Sequence, residues 1–157
     1  MTIVTFLNKL NKLNLQAVEK QLMSSYGWTL EKTQVAINRY KLYLHLKSLY
    51  PAVMLVPTQE IDLVWHTHIE VNLIKYIQDC YYLFGYILNH CSAISSEQND
   101  GTLQIYEQSF GKTKALFGEM FGVDILENTS FQIAACADLP INTNPTTSGD
   151  LQIISNY

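Results

Sequence analysis

Cations are scarce in this chain and unevenly placed. Arg39 is its one arginine and no lysine follows Lys114, so the stretch carrying Asp124, Glu127, Asp138 and Asp150 is anionic. Nucleic-acid binding rests on clustered Lys and Arg that displace counterions from phosphates. A formal net charge of −4 without a basic cluster argues against that class. The ten tyrosines, with no basic groove around them, are assigned to the core rather than to base stacking. Cysteine is equally sparse. Cys80, Cys91 and Cys136 form no C-x-x-C pair, which fits a reducing cytosol and excludes a disulfide scaffold. No apolar run approaches the roughly 20 residues a bilayer-spanning helix needs. The opening Met1-Thr2-Ile3-Val4-Thr5-Phe6-Leu7 has neither the basic segment nor the cleavage site of a signal peptide. The expected location is cytoplasmic, with no membrane and no nucleic acid as partner.

What is present describes a folded protein. With 157 residues, 48% of them apolar and 15% charged, the chain suits one domain that can bury a real core. Ile3, Phe6, Leu7, Leu10 and Leu13 recur at helical spacing. Asn14 is placed to cap a second run that ends near Tyr26-Gly27, and Thr29 to cap a third that stops at Tyr50-Pro51. Pro57-Thr58 opens a short helix. Asn72 caps the next, whose apolar face runs through Tyr76, Cys80, Leu83, Phe84 and Ile87. A last helix runs from about Leu103 to Phe121, with Gly122 as its stop. From Asn128 onward Thr, Asn, Ser and Pro dominate around two apolar islands, Phe131–Ala135 and Leu151–Ile154. These read as a short hairpin, an extended arm laid on the helices, or a flexible tail. The fold class expected is mostly α: a compact bundle of about five helices with an irregular or short β-hairpin C-terminal extension. The expected boundaries are a helical domain at 1–123 and a Thr/Asn-rich extension at 124–157.

The chemistry concentrates in Asp62-Leu63-Val64-Trp65-His66-Thr67-His68, which holds two of the four histidines. On a helix, at about 100° per residue, Ile61, Val64, Trp65 and Ile69 share one face with His68 in its middle. Asp62 and His66, four residues apart, lie together on its edge. His66 and His68 diverge by about 200°, so an unbroken helix cannot aim both at one ion. In the following helix Asp79, Tyr86 and His90 line a polar edge, with His90 at the C-terminal end, where a protonated imidazole gains from the helix dipole. If the two helices form a short-loop hairpin, this edge meets Asp62 and His66. Neutral imidazoles with a carboxylate suit zinc or another divalent transition metal. Without metal, a histidine oriented by Asp62 suits general-base work.

Each of these residues also has a plain structural reading. A histidine on an apolar face is ordinarily buried with its nitrogens hydrogen-bonded. Asp62 near a helix start offsets the dipole. Trp65 fills a core, and buried cysteines act as small hydrophobes. On one continuous helix Cys80 and Cys91 stand too far apart to bridge. No HExxH or GxSxG motif names a reaction.

Gly27-Trp28, Arg39-Tyr40, Leu55-Val56-Pro57, Ile61 to Ile69, Tyr76, Asp79-Cys80, Phe84-Gly85 and His90, in this order, resemble the glycine-rich domain-containing protein-like family. That family occurs in bacteria, fungi and plants and has no known biochemistry. The resemblance covers roughly Trp28 to Gly122, with the N-terminal helix matching loosely. It implies that Asp62, Trp65, His66, His68, Asp79, Cys80 and His90 belong to the family pattern. In plant relatives the domain is joined to glycine-rich or RNA-recognition segments, which implies an accessory role. Two departures stand out. Cys91-Ser92-Ala93-Ile94 lacks the Pro-aromatic-Gly turn, and a Thr/Asn-rich stretch replaces the glycine-rich tail.

The expectation is therefore a cytosolic helical binding or accessory module for a protein partner or small ligand. Asp62, His66, His68 and His90 are its candidate metal ligands, and Trp65, Asp79, Cys80 and Tyr86 its candidate ligand or partner surface. The alternative is a zinc-type hydrolase in which the same histidines activate water.

Overall fold

The computed structural model of the chain describes residues 3–92, 100–122, 126 and 136–138. Among them run six helices: α1 (Ile3–Asn11), α2 (Gln16–Tyr26), α3 (Leu30–Leu49), α4 (Gln59–Val71), α5 (Leu73–Phe84) and α6 (Asp100–Phe121). Two three-residue strands, β1 (His90–Ser92) and β2 (Cys136–Asp138), pair antiparallel with His90 opposite Asp138. The two apolar islands, Phe131–Ala135 and Leu151–Ile154, and with them the choice between hairpin, arm and tail, lie outside the described residues. The described pairing joins β2 to a strand far from it in sequence.

Local chemistry sets most helix ends. Thr29, Thr58 and Asn72 each accept a hydrogen bond from the backbone three residues on, at Lys32, Ile61 and Lys75, satisfying one of the unpaired N–H groups of each first turn. Asn14 acts one position earlier than expected. Its Oδ1 accepts from Gln16 N at 3.1 Å, and Leu15 takes the cap position without a side-chain bond. Gly27 ends α2 in the left-handed region.

The helix after Asn72 ends sooner than its apolar face suggested. Gly85 takes φ 81°, and its N–H bonds back to the Tyr81 carbonyl, so α5 stops at Phe84. Such a backbone is cheap only for glycine. His90 is therefore not a C-terminal helix residue in the field of a helix dipole; it opens β1. The continuous-helix spacing between Cys80 and Cys91 likewise does not apply, because the chain leaves the helix between them.

The core forms where α4 packs on α2 and α3, with α5 against α4 and α1 and α6 against α3. Trp65, Tyr40, Tyr43, Leu22, Leu46 and Ile61 are fully buried there. Each such side chain stabilises the fold by about 1.5–3 kcal/mol relative to exposure. Leu126 is buried in the same cluster. The chain's one arginine ties α3 to the first turn of α4, with Arg39 Nη1 2.7 Å from Glu60 Oε2. α6 is fastened to the segment before α4 by Val56 N donating to Thr113 Oγ1 at 3.0 Å. No helix among the described residues is long and apolar enough to cross a membrane.

Candidate functional site

Thr58 starts α4 so that Asp62 and His66, one turn apart, project from the edge of its buried face. The turn at Gly85 then brings the chain back across that edge. His90 Nε2 stands 2.8 Å from Asp62 Oδ1, while His66 Nε2 stands 3.6 Å from Asp62 Oδ2. The two imidazoles meet edge to face, with centroids 4.1 Å apart. Trp65 closes the inner side, its ring 4.4 Å from that of His90 and nearly perpendicular to it. One nitrogen or oxygen atom from each of Asp62, His66 and His90 lies within 4.8 Å of the other two. The His90 ring is 5% exposed, Asp62 15% and His66 31%, so the cluster has a closed floor at His90 and an open side at His66.

An ionised carboxylate only accepts hydrogen bonds. The close contact therefore places a proton on His90 Nε2, donated to Asp62. The donor set is two imidazole nitrogens and one carboxylate oxygen, which suits zinc and its divalent neighbours. Ligand atoms around one tetrahedral zinc stand about 3.3 Å apart; here His90 approaches Asp62 Oδ1 and His66 approaches Asp62 Oδ2, and one donor atom from each residue lies within 4.8 Å of the other two. An ion bound by His90 Nε2 would have to displace the proton that this nitrogen donates to Asp62.

His68 does not join this set. α4 continues unbroken to Val71, so His68 points into the core, away from His66. Its Nδ1 lies 3.0 Å from the Tyr40 hydroxyl and its Nε2 3.2 Å from Asp79 Oδ2. The Lys75 ammonium contacts both Asp79 oxygens at 2.5 Å. Burial alone would raise the Asp79 carboxyl. The hydrogen bonds from His68 and Lys75, with their charges, outweigh it and hold the carboxyl below its ordinary range. Tyr40 is fully buried and His68 4% exposed, so this second network is a polar joint between α3, α4 and α5.

The remaining candidates have other described contacts. Asp79 serves the joint. Cys80 is buried, beside the Tyr76 hydroxyl. Tyr86 packs on Phe84 at 5.6 Å. Of the polar edge expected on α5, His90 alone is described beside Asp62. Asp79 points to the buried face, and Tyr86 lies beyond the helix end.

Spacing puts Tyr76 on an apolar helix face and gives neither it nor Leu88 a polar role. Trp65 Nε1 donates to the Tyr76 hydroxyl at 2.9 Å, and that hydroxyl donates to the Leu88 carbonyl. A buried indole N–H requires an acceptor, which was the one signal available for a polar partner of Trp65. Burial, with the neighbouring Cys80 and Tyr40, pushes the Tyr76 phenol well up, against the opposing indole bond.

A sequence profile of the glycine-rich domain-containing protein-like family matches residues 5–74, so this stretch of the chain is similar to that family. The match includes α1, which carried little of the resemblance, and contains Asp62, Trp65, His66 and His68. It ends before Tyr76, Asp79 and His90. Two Arabidopsis thaliana proteins, glycine-rich domain-containing proteins 1 and 2, are each 33% identical to this chain over 93 residues. The matched region is 57% of this chain and 11% of each relative, so the similarity spans a small part of those larger proteins. No solved structure matches the chain.

Proposed function

We propose that this chain is a small helical accessory module, and that it binds a divalent transition metal such as zinc through Asp62, His66 and His90. The carrying observation is the convergence of two imidazole nitrogens and one carboxylate oxygen within 4.8 Å of one another. Their positions are 62, 66 and 90, and they are drawn together by a turn that only Gly85 makes easily. A carboxylate and two imidazoles gathered on a partly buried floor carry a desolvation cost, which a bound cation would offset. The bound ion would supply Lewis-acid character and a fixed positive charge. The chain's own contribution is to hold the ligands, exclude water on the Trp65 side and leave the His66 side open for a partner or small ligand. We take the helical domain to be residues 1–123, with 124–157 as an appended extension. Three cysteines with no C-x-x-C pair in the sequence support a cytoplasmic setting. No observation here favours hydrolysis over binding.

The test uses full-length protein without a polyhistidine tag, titrated with Zn²⁺ by calorimetry and with Co²⁺ by visible absorption. One ion per chain is expected, with d–d bands of a nitrogen/oxygen site. Asp62→Asn, His66→Ala and His90→Ala should each weaken binding at least tenfold, while His45→Gln leaves it unchanged. Absence of saturable binding, or equal binding by His66→Ala, rejects the metal reading.

A further inference from the structure

We propose that Tyr76 is the positioning residue of the Asp62–His66–His90 cluster: its single buried hydroxyl fixes both the indole that backs His90 and the backbone that carries it. The metal-binding part of this proposal rests on the function proposed above; the placement of His90 does not.

Three observations carry it. The first is connectivity. One oxygen accepts from Trp65 Nε1 at 2.9 Å and donates to the Leu88 carbonyl, so a residue of α5 ties α4 to the segment that follows Gly85. The second is location. Leu88 lies two residues before His90, and Trp65 touches the His90 ring directly, at 4.4 Å between centroids. Both ends of the Tyr76 link thus terminate on the surroundings of one ligand. The third is the nature of the segment. Residues 87–89 have no regular secondary structure, so no helical ladder fixes their position. Leu88 is nevertheless 4% exposed, and a buried carbonyl must find a donor. Only a group that donates and accepts at once can serve both neighbours. A hydroxyl on a rigid ring does this, and phenylalanine at the same place does neither.

Tyr43 provides a built-in comparison. It is fully buried, packs against Trp65 at 5.7 Å, and its hydroxyl donates to a backbone carbonyl, that of Leu55, at 2.9 Å. It therefore resembles Tyr76 in burial, ring contact and bond type. Two differences separate them: Tyr76 also accepts from Trp65 Nε1, and the carbonyl that Tyr43 serves lies in the segment before α4 rather than in the one that leads into β1. If Tyr76 only satisfies buried polar atoms, Tyr76→Phe and Tyr43→Phe should behave alike.

The experiment compares these two variants with wild type in the full chain. In metal-free protein, long-range ¹⁵N–¹H spectra of the imidazoles report whether His90 keeps its proton on Nε2, as its bond to Asp62 requires. In Tyr76→Phe that single-tautomer signature should give way to exchange between tautomers, and in Tyr43→Phe it should persist. In the second arm, Zn²⁺ affinity should fall about 10- to 100-fold in Tyr76→Phe, the range seen when a partner orienting a ligand is removed. It should stay within about threefold in Tyr43→Phe, because that carbonyl positions no ligand. If Tyr76→Phe does not fold, Trp65→Phe releases one end of the link while keeping a ring beside His90, and a smaller shift in the same direction is expected. An unchanged His90 signature in Tyr76→Phe, or in Trp65→Phe where that is the variant measured, overturns the proposal. Equal affinities for Tyr76→Phe and Tyr43→Phe also overturn it. If wild type binds no zinc, the metal reading fails by itself, and the imidazole spectra still decide whether Tyr76 places His90.

Discussion

His66 and His68 stand two residues apart on one helix and serve different centres. His66 faces Asp62 at the protein's edge, 3.6 Å away, whereas His68 bridges Tyr40 and Asp79 in the interior, at 3.0 and 3.2 Å. The divergence follows from helical geometry, since about 200° separates such neighbours. It also separates their effects on stability. His68→Ala should destabilise the metal-free protein by about 3 kcal/mol, because it leaves a hydroxyl and a carboxylate buried without this partner. His66→Ala, at a partly exposed position, should stay within about 0.5 kcal/mol. Urea denaturation of both variants tests the pair, and equal midpoints would contradict the assignment of His68 to a structural joint.

Zinc should raise the melting temperature of wild-type protein in a concentration-dependent way. At a free concentration a hundred times the dissociation constant, linkage gives about 2.7 kcal/mol. Chelation should reverse the shift. Acidification should shrink it, because protons compete with metal for the imidazoles. A thermal shift that survives in Asp62→Asn would place the binding elsewhere.

Stability should fall in two stages on acidification, each from a named group. Burial between Phe6 and Phe121 lowers the pKa of His45 from its ordinary 6.5. Below that value the unfolded chain takes up a proton that the folded chain resists, so stability declines as pH drops from about 6.5 toward the depressed folded value. Asp79 acts lower. Burial raises its pKa, but His68 and Lys75 together outweigh that and bring it below 3.8. Its contribution is complete above about 3.8 and disappears as pH falls through the folded value. Equilibrium unfolding from pH 8 to 3 should show both limbs, with His45→Gln removing the upper and Asp79→Asn the lower. Retention of the upper limb in His45→Gln would assign it to another group.

Gly85→Ala should cost about 1 kcal/mol through backbone conformation alone. The residue sits at φ 81°, and a Cβ there would meet no atom within 4 Å. Since this turn delivers His90 to Asp62, zinc affinity should fall as well, which calorimetry on the folded variant measures. An affinity equal to wild type would mean that the turn is not what places His90.

Much of the helical frame was legible in the chain because its signals are local. Thr29, Thr58 and Asn72 cap helices through bonds to residues three positions on, and Gly27 ends one through its own backbone freedom. α5 is shorter than its pattern suggests, since Tyr86 and Ile87 continue a helical periodicity while Gly85 breaks the backbone. Apolar periodicity and backbone conformation gave opposite answers there, and backbone conformation prevailed. The break decided the fate of His90, which moved from an expected helix terminus to the strand that meets Asp62.

The sequence by itself determined a mostly helical chain, the inward face of Trp65 and His68, and the pairing of Asp62 with His66 one turn on, because 3.6 residues per turn is a property of the backbone. Tertiary structure alone decided that His90 reaches Asp62 across 28 positions, that His68 finds Tyr40 and Asp79, and that one tyrosine hydroxyl ties Trp65 to Leu88. Those partners are brought together by burial of apolar surface, which is non-directional. Periodicity shows which faces turn inward, while the packing of one helix on another sets which polar atoms come within hydrogen-bonding distance.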